Sequence, residues 1–250
     1  MRCEAMPGGE MLKYLFVACA LIFLNTSVQA QEKAGIRDGF EAADISGEKI
    51  ILFRPDIQVG EQSMGGMFEP RAEWTTEARR LIDAELEKAQ ARLTNEIVKL
   101  PELYGDDAGL LAEHQALFET VIDAIVEYQF FVGNRLPTQK KGSFDWTLGT
   151  GTARLAELSG ANYGLFIVTE DHYGSAGRKI LQFAAAGLFG AGIQSGVHKG
   201  AAGLIDLRTG NILWLNADLQ MGGDVRDPDG VEKRVGQLLE DFPGSVDEGG

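Results

Sequence analysis

The chain has 250 residues, 44% of them hydrophobic, and a formal net charge of −14; this is enough for one domain with a sizeable core. An acidic surface of this size repels phosphate backbones and anionic lipid, so nucleic acid is not an expected partner. Both cysteines, Cys3 and Cys19, lie within the first thirty residues, so a chain cut after them has no disulfide and no thiolate ligand.

The N-terminus reads as an export signal. Lys13 precedes the apolar run Tyr14–Leu24, and Val28-Gln29-Ala30 closes it with small residues at the cleavage-type positions. Cleavage is expected after Ala30, and the run is short for a membrane span. Either Met1 or Met11 can serve as the start. Removing residues 1–30 takes away Arg2 and Lys13 together with Glu4 and Glu10, so the net charge stays at −14. The expected compartment is the periplasm. Cys19 follows Phe16-Val17-Ala18, a weak lipidation signal, which leaves outer-membrane association as an alternative.

Residues 31–47 form a polar N-terminal segment, expected to fray, and a single domain is expected over 48–243. Lys49–Arg54 reads as a strand stopped by Pro55, with Asp56–Gly60 continuing it as an extended edge. Gly60–Pro70 reads as a loop. Trp74–Leu93 has the pattern of an amphipathic helix, capped by Thr75 or Thr76, with Ala78, Leu81, Ile82, Leu86, Ala89 and Leu93 inward. Glu96–Leu100 is a short strand. Asp107–Val132 predicts a long helix, or two in sequence, with Leu110, Leu117, Val121, Ile125, Tyr128 and Val132 buried. His114 falls on that stripe, where a satisfied core histidine accounts for it, since no second ligand stands at i+4. Leu136–Trp146 is a loop anchored by Phe144 and Trp146, and Thr147–Ser159 a short helix ended by Gly160.

Tyr163–Thr169 is near-continuously apolar and reads as a central strand. Ser175–Phe189 reads as a helix with Ile180, Phe183, Ala184 and Leu188 on its packed face, followed by a glycine-rich stretch over Gly187–Gly192. The strongest local signal is Gly200–Asn216: two apolar strands joined by Arg208-Thr209-Gly210-Asn211. Gly210 takes the position that calls for positive φ, and Asp206 can accept hydrogen bonds from turn amides. Asp206, Thr209, Gly210 and Trp214 are therefore read as structural hairpin residues. A last helix starts at Asp227-Pro228, buries Val231, Val235, Leu238, Leu239 and Phe242, and stops at Pro243. Gly244–Gly250 is read as a disordered tail. Strands and helices mix without strict alternation, so the fold class is α/β (α+β): a three-layer domain with a mixed central sheet flanked by helices.

No catalytic motif stands out. Gly190-Ala191-Gly192 and Gly149-Thr150-Gly151 do not complete a dinucleotide or phosphate-loop pattern, and Ser175 is wrongly spaced for a nucleophile elbow. The candidate ligand or partner surface is Glu170, Asp171, His172 and Tyr173, at the expected end of the central strand, with His198 near it if its strand pairs there. Such a carboxylate–imidazole cluster can move protons or hold a metal. A polar turn leaving a buried strand explains the same residues, and no ligand spacing supports a metal. No catalytic residue, metal or cofactor is therefore expected, and the chain is read as not an enzyme.

Gly160-Ala161-Asn162-Tyr163 before an apolar strand, then Leu204–Trp214 and a final amphipathic helix, resembles the domain shared by the curli-secretion lipoprotein, the outer-membrane lipoprotein activators of peptidoglycan synthases and the N-terminal domain of TolB. Leu136-Pro137-Thr138 and Asp145–Gly149 are similar to segments of uncharacterised exported bacterial proteins. The resemblance implies a sheet flanked by helices and a non-catalytic role in envelope assembly, with another envelope protein as partner; it supplies no catalytic residues. The expected function is an exported protein-interaction or assembly module. Two alternatives stay open: a periplasmic small-ligand or metal-binding protein or hydrolase using Glu170–His172, and an oligomeric secretion component built as a homo-oligomer.

Overall fold

The computed structural model describes residues 32–134, 143–189 and 196–245, all within one unit, Gln31–Gly250. Among these residues the chain runs β1 (Glu32–Ile36), a 3-10 turn (Ala42–Ile45), β2 (Lys49–Leu52), β3 (Asp56–Gln62), β4 (Phe68–Pro70), α1 (Ala72–Ala89), β5 (Glu96–Lys99) and α2 (Gly105–Ile125), which a π-helical turn extends to Phe130. It continues through α3 (Ala153–Ser159), β6 (Tyr163–Gly174), α4 (Ala176–Phe189), β7 (Val197–Asp206), β8 (Ile212–Asp218) and α5 (Pro228–Leu238).

The strands form one mixed sheet in the order β1-β8-β7-β6-β2-β5. β6 is its axis. One of its edges pairs antiparallel with β7 from Tyr163 to His172. The other pairs parallel first with β2, through Tyr163–Leu165, and then with β3, through Val168–Gly174. The Arg54-Pro55 break thus lets two short strands share one long neighbour. Pro lacks the N–H that a continuous ladder would need there.

Apolar residues alternate between two cores, as the two-residue period of a strand requires. Leu165 and Ile167 face α1 and α5, together with Ile50, Leu204 and Trp214. Phe166 faces α2 and α3, with Ile51, Phe53, Ile205 and Leu215. Both faces are covered, which explains the near-continuous apolar runs of the central strands and gives the three-layer α/β architecture expected from the sequence.

The hairpin forms as read. Asp206 Oδ1 accepts from the amides of Arg208 (2.9 Å) and Thr209 (3.4 Å), and the Gly210 amide donates to the Asp206 carbonyl at 2.7 Å. Gly210 has φ +77°, and a Cβ there would lie 2.0 Å from the Gly149 carbonyl oxygen. That close approach exists because 146–149 docks on the turn: Leu148 N donates to Gly210 O and Ile212 N to Trp146 O. Trp214 is fully buried, edge-on to Phe242 at 5.2 Å.

Several sequence expectations are corrected. Residues 32–36 are a paired strand, antiparallel to β8, and Ile45 is fully buried; a polar strand lying at a sheet edge has no apolar alternation to betray it. Asp56–Gly60 is part of a separate strand that runs on to Gln62 along β6, with β4 on its other side only from Gly60 to Gln62, and Phe68–Pro70 within the expected loop is a strand paired to β3. The α1 helix begins earlier than expected, with Arg71 at its N-cap. Thr75 instead ties α1 to β3: its Oγ1 accepts from Val59 N, with the Val59 carbonyl also 3.2 Å away.

On α2 the buried residues are His114, Phe118, Ile122 and Ile125; His114 and Ile125 are on the expected stripe, Leu110 and Val121 pack partly buried against the core, and Phe118 is buried in place of the expected Leu117, which is exposed. His114 is a core histidine as expected, its Nδ1 2.8 Å from Leu110 O. The Val132 side chain and the 135–142 part of the Leu136–Trp146 loop lie outside the described residues, while Phe144 is buried. The glycine-rich positions 190–195 and the tail 246–250 also lie outside them. Gly244 accepts from Thr94 N at 2.8 Å.

Candidate functional site

The β6 strand does not stop at Thr169 but runs to Gly174. Glu170–Tyr173 are therefore strand residues rather than a turn, and alternation sends them to opposite faces of the sheet. Asp171 and Tyr173 join Thr169 on the α1/α5 face, and Glu170 and His172 go to the other. β7 obeys the same register, with Asp171 opposite His198 and Glu170 opposite Lys199. The sequence-predicted cluster is thus divided: His198 meets Asp171, as expected, but His172 does not.

Asp171 is fully buried, and so is Arg234 from α5. Arg234 grips the carboxylate with both terminal nitrogens, Nη2 to Oδ1 at 2.8 Å and Nη1 to Oδ2 at 2.9 Å. Its remaining donors reach Thr169 Oγ1 (2.8 Å), Gly222 O and Gly223 O (3.1 Å each). The Thr169 hydroxyl lies 3.1 Å from Asp171 Oδ2, and His198 Nδ1 lies 2.8 Å from Oδ1. A buried ion pair is tolerable only with its donors and acceptors filled in this way. Because the carboxylate only accepts, the imidazole must donate through Nδ1. In its neutral form His198 then offers Nε2 as a bare acceptor.

A second layer surrounds this pair. The Arg226 guanidinium lies 3.6 Å from the Tyr173 ring centroid and 4.6 Å from that of Trp74, two cation–π contacts with rings that meet edge-on at 6.0 Å. Arg226 also binds both carboxylate oxygens of Asp224, at 2.9 and 2.7 Å, and holds that carboxyl well below the usual carboxylate range. Tyr173 accepts the Val225 N–H at 3.0 Å; burial, then the Asp171 charge, push its hydroxyl well above the ordinary tyrosine value. Trp74, Tyr173, Arg226, His198, Lys179 and Glu61 line a cavity of about 380 Å³ over this layer.

On the opposite face Glu170 lies between Lys199 (2.7 Å) and His172 Nε2 (2.6 Å). The second contact is an ion-pair approach without hydrogen-bond geometry. The His172 ring stacks on Phe68 at 4.0 Å between centroids. Nearby, Glu119 on α2 is raised above the ordinary glutamate value by burial first and by the Asp56, Glu170 and Asp123 charges after it. Among the described residues no group of three His, Asp or Glu side chains is placed to hold a metal ion.

The α4 helix follows the end of β6 directly, with Ser175 Oγ accepting from Arg178 N at 3.2 Å. Its apolar residues are turned the other way from the sequence expectation. Ile180 is 69% exposed, Phe183 77% and Leu181 40%, while Ala185 is the inward residue; the Leu188 side chain lies outside the described residues. Apolar periodicity marks a face, but not whether the face meets this chain or another.

Sequence reasoning missed Arg234, Trp74, Arg226 and Lys179. Arg234 had a signal: it sits beside Val235 and three residues after Val231, a charge inside the apolar stripe of the last helix. Arg226 and Trp74 come together only through the fold, from 152 positions apart in sequence.

No family model and no curated protein matches the chain. Solved structures do match in part. A PelC dodecamer from Paraburkholderia phytofirmans is 11% identical with a TM-score of 0.38, over 87% of this chain and 99% of that one. A second PelC structure, the L103M dodecamer, gives 11% and 0.37 over the same shares. Lipoprotein GNA1162 from Neisseria meningitidis is 14% identical with a TM-score of 0.28, over 68% of this chain and 81% of that one. Likenesses at these TM-scores carry no argument about what this chain does.

Proposed function

We propose that the chain is an exported, non-catalytic interaction module of the cell envelope that docks another envelope protein through the outer face of α4. The observation that carries this reading is the exposure of Ile180, Leu181 and Phe183 on one helix. Contiguous apolar surface of this kind marks a contact site far more often than isolated apolar residues do. The matching partner surface is an apolar groove that takes Ile180 and Phe183. No helix among the described residues is long and apolar enough to cross a membrane. Export to the periplasm or the outer membrane is supported by Lys13, the run Tyr14–Leu24 and the Val28-Gln29-Ala30 cleavage pattern. The non-catalytic reading is supported by Asp171, whose acceptor positions are taken up by Arg234, Thr169 and His198.

Photo-cross-linking from position 183 in intact cells tests this. The expected result is a covalent adduct with one envelope protein, lost when Ile180 is changed to Glu while the thermal midpoint stays the same. Capture of a second copy of this chain alone would favour the homo-oligomeric alternative, and no protein adduct would sink the docking reading. The cavity beside His198 favours a second reading, a small-ligand function.

A further inference from the structure

A second cavity, of about 430 Å³, opens past the carboxyl ends of the parallel strands β2 and β5. The ladder between them runs up to it, with Leu100 N donating to Leu52 O at 3.0 Å. Helices α1 and α2 form its sides: Arg79 and Asp83 come from the first, Leu111 and Gln115 from the second. Gln115 Nε2 donates to Arg54 O at 2.7 Å and so ties the break between β2 and β3 to α2. The carboxyl ends of parallel strands are where open α/β sheets usually take ligands, and the volume is within the range of about 300–1,000 Å³ usual for small-molecule sites.

Three cations and two carboxylates line this cavity: Arg54, Arg79 and Lys99 against Asp83 and Glu102. Lys99 is shared between Glu87 (2.9 Å) and Asp83 (3.8 Å), and Arg54 faces Glu102 at 3.7 Å. Arg79 has neither an ion pair nor a hydrogen bond among the described residues, and its Nε is buried. Burial first, then the Arg54 charge, work against its charged form, while Asp56 and Asp83 favour it without pairing with it. A guanidinium so placed lacks an acceptor for its donors. Beside it Leu100, Leu103 and Leu111 line the cavity half-buried, with hydrocarbon surface still uncovered.

From the unanswered Arg79 charge beside an uncovered apolar wall we infer that this cavity binds a monocarboxylate with an apolar body. The carboxylate lies against the Arg79 guanidinium, with Arg54 as the second cation, and the hydrocarbon lies on the three leucines. One positive charge is left over on the wall, so a single negative charge completes it; a dianionic phosphate would also face Asp83 and Glu102. A neutral molecule would leave Arg79 without a counter-charge, and a carboxylate as small as acetate would leave the leucines uncovered. No residue of α4 takes part, so the site stands or falls separately from partner docking.

The test is calorimetric titration of the purified protein with sodium octanoate, with methyl NMR of the leucines and isoleucines to locate the ligand. Sodium acetate, 1-octanol and octyl phosphate serve as parallel probes, at about pH 8, where the phosphate is close to a dianion. Saturable binding of octanoate is expected, with shifts at Leu100, Leu103 and Leu111. Acetate and 1-octanol are expected to bind about tenfold more weakly or worse, the first for lost apolar contact and the second for the lost charge-assisted hydrogen bond, and octyl phosphate more weakly than octanoate. Arg79→Met is expected to weaken octanoate about tenfold with no fall in the thermal midpoint, since it breaks no bond among the described residues, and Arg79→Lys to fall between the two. Absence of saturation, 1-octanol equal to octanoate, octyl phosphate as tight or tighter, shifts at Ile180 and Leu181 in place of the three leucines, or an Arg79→Met protein that binds as before would each overturn the assignment.

Discussion

Arg234 is the side chain whose removal should cost the domain most for the fewest atoms changed. It makes five hydrogen bonds from a fully buried position: two to Asp171, one to Thr169 and two to the carbonyls of Gly222 and Gly223. Arg234→Met keeps most of the volume but strands a buried carboxylate and two carbonyls. Breaking a buried pair from one side typically costs about 3–5 kcal/mol, because the remaining charge is left without compensation. At about 2–4 °C per kcal/mol for a domain of this size, the thermal midpoint should fall by roughly 6–20 °C. Removing both charges, in Asp171→Asn with Arg234→Met, should recover a good part of that loss, since the desolvation cost of the carboxylate disappears too. The assay is urea and thermal unfolding of the two single variants and the double variant at neutral pH, read as a double-mutant cycle with an expected coupling of about 2 kcal/mol or more. A single-variant cost below about 1 kcal/mol, the level of an exposed ion pair, would show that the Asp171–Arg234 contact is not the buried, filled network described above.

Three further outcomes are expected. Gly210→Ala should destabilise strongly, by about 2 kcal/mol or more, because φ +77° and a 2.0 Å approach to Gly149 O leave no room for a Cβ; chemical denaturation checks it, and a neutral effect would contradict the docking of 146–149 on the turn. Glu119 is raised by burial first, so its contribution is fully present while it is protonated and is lost as pH rises from the unfolded value through the higher folded one. Glu119→Gln should therefore raise the melting temperature at neutral pH and leave it unchanged near pH 4, where the wild-type group is largely protonated in both states; an equal shift at both pH values would refute the cause. Asp224 has the opposite sign: Arg226 lowers it, so its stabilisation is present above the unfolded carboxylate value and disappears as pH falls through the folded one. Arg226→Met should flatten that acid limb in a pH series of melts and alter the Trp74 fluorescence by removing the cation from its ring; an acid limb as steep as in the wild type would contradict it.

The parts of the fold that could be read from the sequence are those where local chemistry and burial agree. In the hairpin, turn residues with a required φ sit between runs buried on both faces, so Asp206, Gly210 and Trp214 each announce the same structure. Helix α5 has its cap, its Pro and its apolar stripe in order: Asp227 Oδ1 accepts from Asp229 N at 2.9 Å. β1 had no such agreement. Four of its five residues, Glu32, Lys33, Ala34 and Gly35, are polar or small, and the strand gains its place only by pairing with β8, whose own residues are some 180 positions away. α4 misled for the reverse reason: its periodicity was real, but an apolar stripe does not say which body lies against it.

The candidate site was half legible for a reason that bears on its function. The sequence placed Asp171 near His198 on the condition that two strands paired, and they do. It could not see that β6 continues past Thr169, and so it grouped His172 with Asp171 when two-residue alternation separates them. Once the strand is extended, the acidic–imidazole cluster resolves into two distinct environments. On one face Glu170 is flanked by Lys199 and His172. On the other, a carboxylate is locked by an arginine from the last helix, and that lock orients the His198 imidazole. Asp171 is held by Arg234 through both carboxylate oxygens, and its Oδ1 also fixes His198 through Nδ1. The reactive-looking residue is thus the brace, and the cavity beyond it is lined by His198, Lys179, Trp74 and Tyr173, brought together from β7, α4, α1 and the end of β6.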